Sequence, residues 1–140
     1  MKTGGIVELN LLHLKREFVQ AQKLLFYSIN GGNTVLIDFN EITIPGINGG
    51  TGTMSARMFM GEQGKIIPAK IHFGGSIGLH KHETSDDINY VLSGTGKAVC
   101  DGQEEILKAG TCHICKKGSQ HCIENTGNDD LVLLTVVVER

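Results

Sequence analysis

Two hydrophobic periods divide the chain. Over residues 9–27 the apolar positions Leu11, Leu14, Phe18, Ala21 and Leu25 recur at spacings of three and four, the stripe of an amphipathic helix. Lys15, Arg16, Glu17, Gln20, Gln22 and Lys23 fill much of the other face, and Asn30-Gly31-Gly32-Asn33 ends the segment. From Thr34 onward the period is two: Met54, Ala56, Met58 and Met60 alternate with Ser55, Arg57 and Phe59, as in a half-buried strand. The pattern predicts strands over 34–39, 53–60, 65–73, 88–92, 96–100, 104–108, 111–115, 120–125 and 131–138. Glycine-containing turns separate most of them, among them Pro45-Gly46, Gly74-Gly75, Ser93-Gly94, Asp101-Gly102 and Lys117-Gly118. Many short strands at this spacing predict a closed barrel or a two-sheet jelly roll over 35–140. A helical arm over 1–34 precedes it, packing on the barrel or on a second subunit; a start at Val35 or Leu36 is the other reading of that arm.

Composition narrows the function classes. A length of 140 residues fits one domain. Thirteen Lys and Arg against 15 Asp and Glu leave a net charge of −2, which offers nucleic acid no basic footprint. The apolar runs Leu131–Leu134 and Val136–Val138 fall far short of the roughly 18 residues of a membrane span. Met1-Lys2-Thr3-Gly4-Gly5 has no leader pattern, so a cytoplasmic location is expected, with the four cysteines as free thiols. Cys112 and Cys115, three apart on a predicted strand, face opposite sides and are poorly placed to share a metal. Gly49-Gly50-Thr51-Gly52 lacks the Gly-Lys-Ser/Thr ending of a phosphate loop and reads as a turn.

One stretch carries chemistry: Gly74-Gly75-Ser76-Ile77-Gly78-Leu79-His80-Lys81-His82, followed by Asp87 and Gly94. Alternation puts His80 and His82 on one face of a strand, with Cα atoms about 6.5 Å apart, so both imidazoles can meet one ion. Asp87 and His121 follow on later strands. Asn89 and Val91 share the parity of Asp87, which makes Asn89 a candidate polar pocket contact, whereas Asp86 and Tyr90 have the opposite parity. Asn125 precedes a glycine turn and reads as structural. His13, His72 and His113 have no partner pattern and read as surface or packing histidines.

These residues resemble the two motifs of the cupin superfamily. Gly74, His80, His82, Asp87 and Gly94 fall at the positions of the first, and Gly110, Gly118, His121 and Asn125 at those of the second. Two departures stand out. Asp87 occupies the place of the usual glutamate, one methylene shorter, so it is expected to ligate weakly, through water or after its strand moves inward. Lys116 replaces the second-motif proline, which affects loop rigidity more than metal binding. The resemblance implies an all-β double-stranded β-helix, a jelly-roll barrel, holding a divalent transition metal on His80, His82, His121 and Asp87. Iron, manganese, nickel, zinc and copper all suit three imidazoles and a carboxylate. It also implies a homodimer and a small-molecule ligand or substrate, with no nucleic-acid or membrane partner. Two functions fit: a metalloenzyme with dioxygenase-like chemistry on a small oxygenated metabolite, or a binding module without turnover. The fold alone does not choose between them.

Overall fold

A computed structural model describes residues 39–140. The expected helical arm, and the predicted strand over 34–39 apart from its last residue, lie outside the described residues. Eleven strands follow in order: β1 (Ile42–Pro45), β2 (Thr53–Ala56), β3 (Phe59–Gly61), β4 (Gly64–Ile71), β5 (Ser76–Lys81), β6 (Ser85–Ser93), β7 (Thr95–Cys100), β8 (Gln103–Lys108), β9 (Cys112–Cys115), β10 (Gln120–Asn125) and β11 (Leu131–Glu139). They form two antiparallel sheets. The larger runs β1-β2-β4-β11-β6-β9, with β3 also on β4, and the smaller runs β5-β10-β7-β8. Among the described residues no helix is long and apolar enough to cross a membrane.

Alternation explains how the sheets face each other. On β11, Leu131, Leu133, Thr135 and Val137 are buried while Leu134 is exposed. The inward side chains Ile71, Val91, Leu131 and Leu133 of the large sheet meet Ala98, Leu107 and Ile123 of the small one in a single core. Each large aliphatic side chain removed from water there contributes about 1.5–3 kcal/mol. Along the same strands the inner row turns polar. Val91 gives way to Asn89 and Asp87 on β6, Leu133 to Thr135 on β11, and Ile123 to His121 on β10, all of them buried. One end of the interior is therefore an apolar core and the other a polar chamber.

The stretch 53–60, expected as one strand, is two. β2 pairs with β4 up to Ala56↔Ala69, and β3 resumes the same register at Phe59↔Ile66. The gap lies opposite Pro68, which has no N–H to give to the ladder; its carbonyl still accepts from the Arg57 N–H at 3.3 Å. Strand β1 was not anticipated, because its four residues end in Pro45 and three of them are exposed. Gly94, closing the first motif, turns the chain between β6 and β7 at φ 85°. A Cβ there would stand 2.3 Å from the Asp130 carbonyl oxygen, so both backbone conformation and space require glycine.

Candidate metal centre

The polar chamber brings together His80, His82, Asp87 and His121, whose potential ligand atoms all lie within 4.8 Å of one another. The three imidazole Nε2 atoms form a nearly regular triangle, 3.0 Å from His82 to His80 and 3.1 Å from His121 to each of the other two. Asp87 Oδ2 stands 3.2 Å from His121 Nε2 and 3.6 Å from His82 Nε2. The aspartate thus reaches the histidines from its place on β6, without any inward shift of the strand, despite its missing methylene.

Local structure sets each ring. His80 is opposite His121 in the β5–β10 register, beside an irregularity between His121 and Ile123. His80 Nδ1 donates to the Gly78 carbonyl at 2.9 Å, which leaves Nε2 as the nitrogen turned to the centre. His82 follows the end of β5 and is held by the turn 116–119. Its N–H donates to the Ser119 carbonyl at 3.0 Å, and its carbonyl accepts from the Gly118 N–H at 2.7 Å. Lys116, in the place of proline, accepts the Ser119 N–H at 2.9 Å and closes that turn by a backbone hydrogen bond. Asp87 is oriented through Asn89, whose Nδ2 donates to Asp87 Oδ2 at 2.8 Å and whose Oδ1 accepts from the Thr135 hydroxyl at 2.6 Å. Both ends of the Asn89 amide are engaged, so its direct effect is on the carboxylate. Asp86 points the other way, accepting the Lys117 N–H and pairing with Arg140.

The chemistry of the donor set fits a cation. A carbonyl only accepts, so His80 carries its proton on Nδ1 and turns a lone pair inward. Lone pairs of neutral imidazoles and a carboxylate oxygen converging at such distances repel unless a positive charge lies among them. Burial lowers the pKa values of both His80 and His82 below the ordinary 6.5, against the pull of the Gly78 carbonyl on the first and of Asp87 on the second. Burial also pushes the Asp87 carboxyl up, but the adjoining His121 ring and the Asn89 amide outweigh it and hold it below 3.8. His80 and His82 are thus biased toward neutral rings and Asp87 toward an ionised carboxylate, the state that metals bind.

A pH dependence follows. With folded values below 6.5, His80 and His82 bind fewer protons when folded than when unfolded, so stability is greatest above 6.5 and falls as pH drops through and below it. The Tm of chelator-treated protein is expected to decline between about pH 7.5 and about pH 5.5, and less steeply in the His80→Gln, His82→Gln protein. Equal slopes in the two proteins would contradict this.

The remaining singled-out residues divide. Asn125 is structural: Nδ2 donates to the carbonyls of Ile71 and Asp129, and Oδ1 accepts the Gly127 N–H. Tyr90 lies outside, 43% exposed. Cys112 is exposed and Cys115 buried, on opposite sides of β9, and the four cysteines are unpaired; burial pushes the Cys115 thiol up to about 12. His72 bridges Asp130 (Nδ1 to Oδ1, 2.9 Å) and Ser55 (Nε2 to Oγ, 2.8 Å), and Thr43 bonds Ser55 in turn at 2.9 Å, a polar chain tying β1 and β2 to the loop before β11. His113 is the residue that the spacing argument undervalued. It is buried, with Nε2 2.8 Å from His121 Nδ1 and Nδ1 2.7 Å from Glu105 Oε2. Alternation on β9, with Cys115 inward, was the available signal. The pairing Asn89↔His113 that brings it to the chamber has no local trace.

Two antiparallel sheets around a polar chamber of three histidines and an aspartate define a cupin, and residues 69–137 match the family model of the Cupin domain. The chain belongs to the cupin family. Among its relatives is the oxalate-binding protein of Thermotoga maritima, 33% identical over 116 residues, which cover 76% of this chain and 96% of that protein. The crystal structure of a predicted oxalate decarboxylase from the same organism superposes with a TM-score of 0.71 at 30% identity, covering 76% of this chain and 100% of that one. The pectin degradation protein KdgF of Dickeya dadantii is 32% identical over 72 residues, 50% of this chain and 66% of that protein.

Proposed function

We propose that the chain holds one divalent transition metal on His80, His82, His121 and Asp87, and that this centre binds a small dicarboxylate of the oxalate class. The observation that carries the reading is the Nε2 triangle. At metal–nitrogen bonds of roughly 2.1 Å, right-angle ligation needs N···N separations of about 3.0 Å and tetrahedral ligation about 3.4 Å. The separations of 3.0–3.1 Å match the right-angle set, so these residues would hold an ion that could also take a ligand. Iron, manganese, nickel, zinc and copper all accept such donors. When bound, the ion supplies Lewis acidity and a template for two ligand oxygens. The chain's own part is to hold the three lone pairs on one face, to orient the carboxylate through Asn89 and Thr135, and to exclude water from the buried rings of His121 and His113. Similarity to an oxalate-binding protein over nearly that protein's whole length supports the ligand class.

Metal-loaded protein is expected to bind oxalate in a calorimetric titration, and protein stripped by a chelator is expected to give no binding heat. Oxalate binding that survives stripping, or is absent from the loaded protein, overturns the reading. A second reading, dioxygenase-like turnover of a small oxygenated metabolite, would use the same ligand set, with the metal supplying Lewis acidity to the substrate. Oxygen consumption on adding substrate separates it from binding alone. The reading includes a homodimer: Tyr90, Leu92, Ile114 and Leu134 leave an exposed apolar strip on the outer face of the large sheet that a second copy of the chain would cover.

A further inference from the structure

We infer that Glu105 and His113 are positioning residues for the metal centre, which together dictate the tautomer of His121 and so present its Nε2 lone pair to the ion. The inference rests on the reading of His121 as a ligand and extends it to two residues that ligate nothing. It begins at the surface. Glu105 lies on β8, at the edge of the small sheet, with its side chain 51% exposed, whereas the His113 side chain beside it is wholly buried. His113 lies on β9, at the edge of the large sheet, and His121 on β10 of the small one. The chain Glu105–His113–His121 therefore crosses twice between the sheets and ends in the polar chamber.

Two carboxylates compete for the His121 proton: Asp87 Oδ2, 3.2 Å from Nε2, would draw it to that atom, and the relay from Glu105 draws it to Nδ1. A carboxylate only accepts, so the 2.7 Å contact to Glu105 requires a proton on His113 Nδ1. A neutral His113 then offers a lone pair at Nε2, so the 2.8 Å contact requires a proton on His121 Nδ1. A neutral His121 is left with its lone pair on Nε2, the atom 3.1 Å from the Nε2 atoms of both His80 and His82. The opposite tautomer would aim an N–H into the triangle and block ligation. His80 reaches the same state through the Gly78 carbonyl at 2.9 Å. His121 has no carbonyl in that role and takes its instruction from a carboxylate two bonds away, relayed by a buried ring. The rings of His113 and His121 lie stacked, with centroids 5.1 Å apart and planes 24° apart, so the relay also limits rotation of His121. An outer hydrogen-bond partner of this kind raises the donor strength of the ligating ring, and its loss weakens metal binding roughly 10- to 100-fold.

The test is Glu105→Gln, a change at a half-exposed surface position that leaves length and shape in place. A carboxamide can turn its NH2 toward His113 Nδ1, which reverses the chain and puts the His121 proton on Nε2. Two readouts are taken on wild type and variant: cobalt(II) affinity by competition with a chelator, and the His121 tautomer by NMR of the metal-free, 15N-histidine-labelled protein. The expected result is a roughly 10- to 100-fold loss of cobalt affinity, with His121 shifted from the Nδ1–H form toward the Nε2–H form. His113→Phe, which keeps a ring in the space but removes the acceptor, is expected to weaken cobalt binding as well. Unchanged affinity in Glu105→Gln overturns the inference even if Tm falls, because a mere clasp between sheet edges would alter Tm and leave affinity and tautomer alone. Should wild-type protein take up no cobalt, the metal reading itself fails, and an Nδ1–H His121 that reverts in Glu105→Gln would still establish the tautomer relay on its own.

Discussion

Replacing His80 and His121 together by alanine is expected to take the metal content of purified protein from about one ion per chain to none, with the fold retained. The two residues contribute two corners of the Nε2 triangle from two strands of one sheet. What remains, His82 and Asp87, offers two donor atoms 3.6 Å apart, too few to hold an ion against a chelator. Neither residue belongs to the apolar cluster that joins the sheets, although truncating the fully buried His121 leaves a cavity beside the His113 ring. Loss of His121 leaves the buried His113 Nε2 without its donor, a cost of about 1–3 kcal/mol, below the roughly 5–15 kcal/mol by which ordinary domains are stable. Elemental analysis of wild type and variant purified side by side, with circular dichroism on each, reads both parts. Stoichiometric metal in the variant would place the ion elsewhere, and an unfolded variant would show that these rings also hold the barrel together.

Leu133→Ala is expected to destabilise the metal-free protein by about 2–5 kcal/mol. Leu133 is fully buried and sits in the middle of β11, paired with Ala69 of β4 on one side and Val91 of β6 on the other. It packs in the cluster that joins the two sheets. Truncation removes its transfer free energy and leaves a cavity that two hydrogen-bonded neighbours on a central strand have little room to close. Urea denaturation in the presence of chelator measures the effect without a contribution from bound metal. A loss of less than about 1 kcal/mol would mean that the sheets relax toward each other at this point, contrary to the close packing of protein interiors.

The candidate centre was more legible than the strand boundaries, for a physical reason. Period-two alternation ties neighbours in sequence to one face of a strand, so His80 with His82, and Asp87 with Asn89, can be read locally. Alternation also separates Cys112 from Cys115 and turns Asp86 and Tyr90 away from the chamber. Strand ends depend on what the partner strand offers. The break between β2 and β3 is set by Pro68 on β4, and no residue within 53–60 announces it. The inward strand shift considered for Asp87 rested on side-chain length alone, whereas the reach of a side chain depends on where its strand lies, and β6 brings Oδ2 to 3.2 Å from His121 Nε2.

His113 shows the same division from the other side. By itself the sequence determined the all-β class, the family resemblance, the inward parity of the ligand set and the turn at Ser93-Gly94, because each is a property of spacing along one chain. Only the tertiary structure decided that β9 pairs with β6 so that Asn89 faces His113, that β8 brings Glu105 to the same ring, and that three Nε2 atoms close to 3.0–3.1 Å. Those are relations between strands far apart in sequence. They are fixed by how two sheets share one core, and alternation within a single strand contains no term for the register or the separation of its partners.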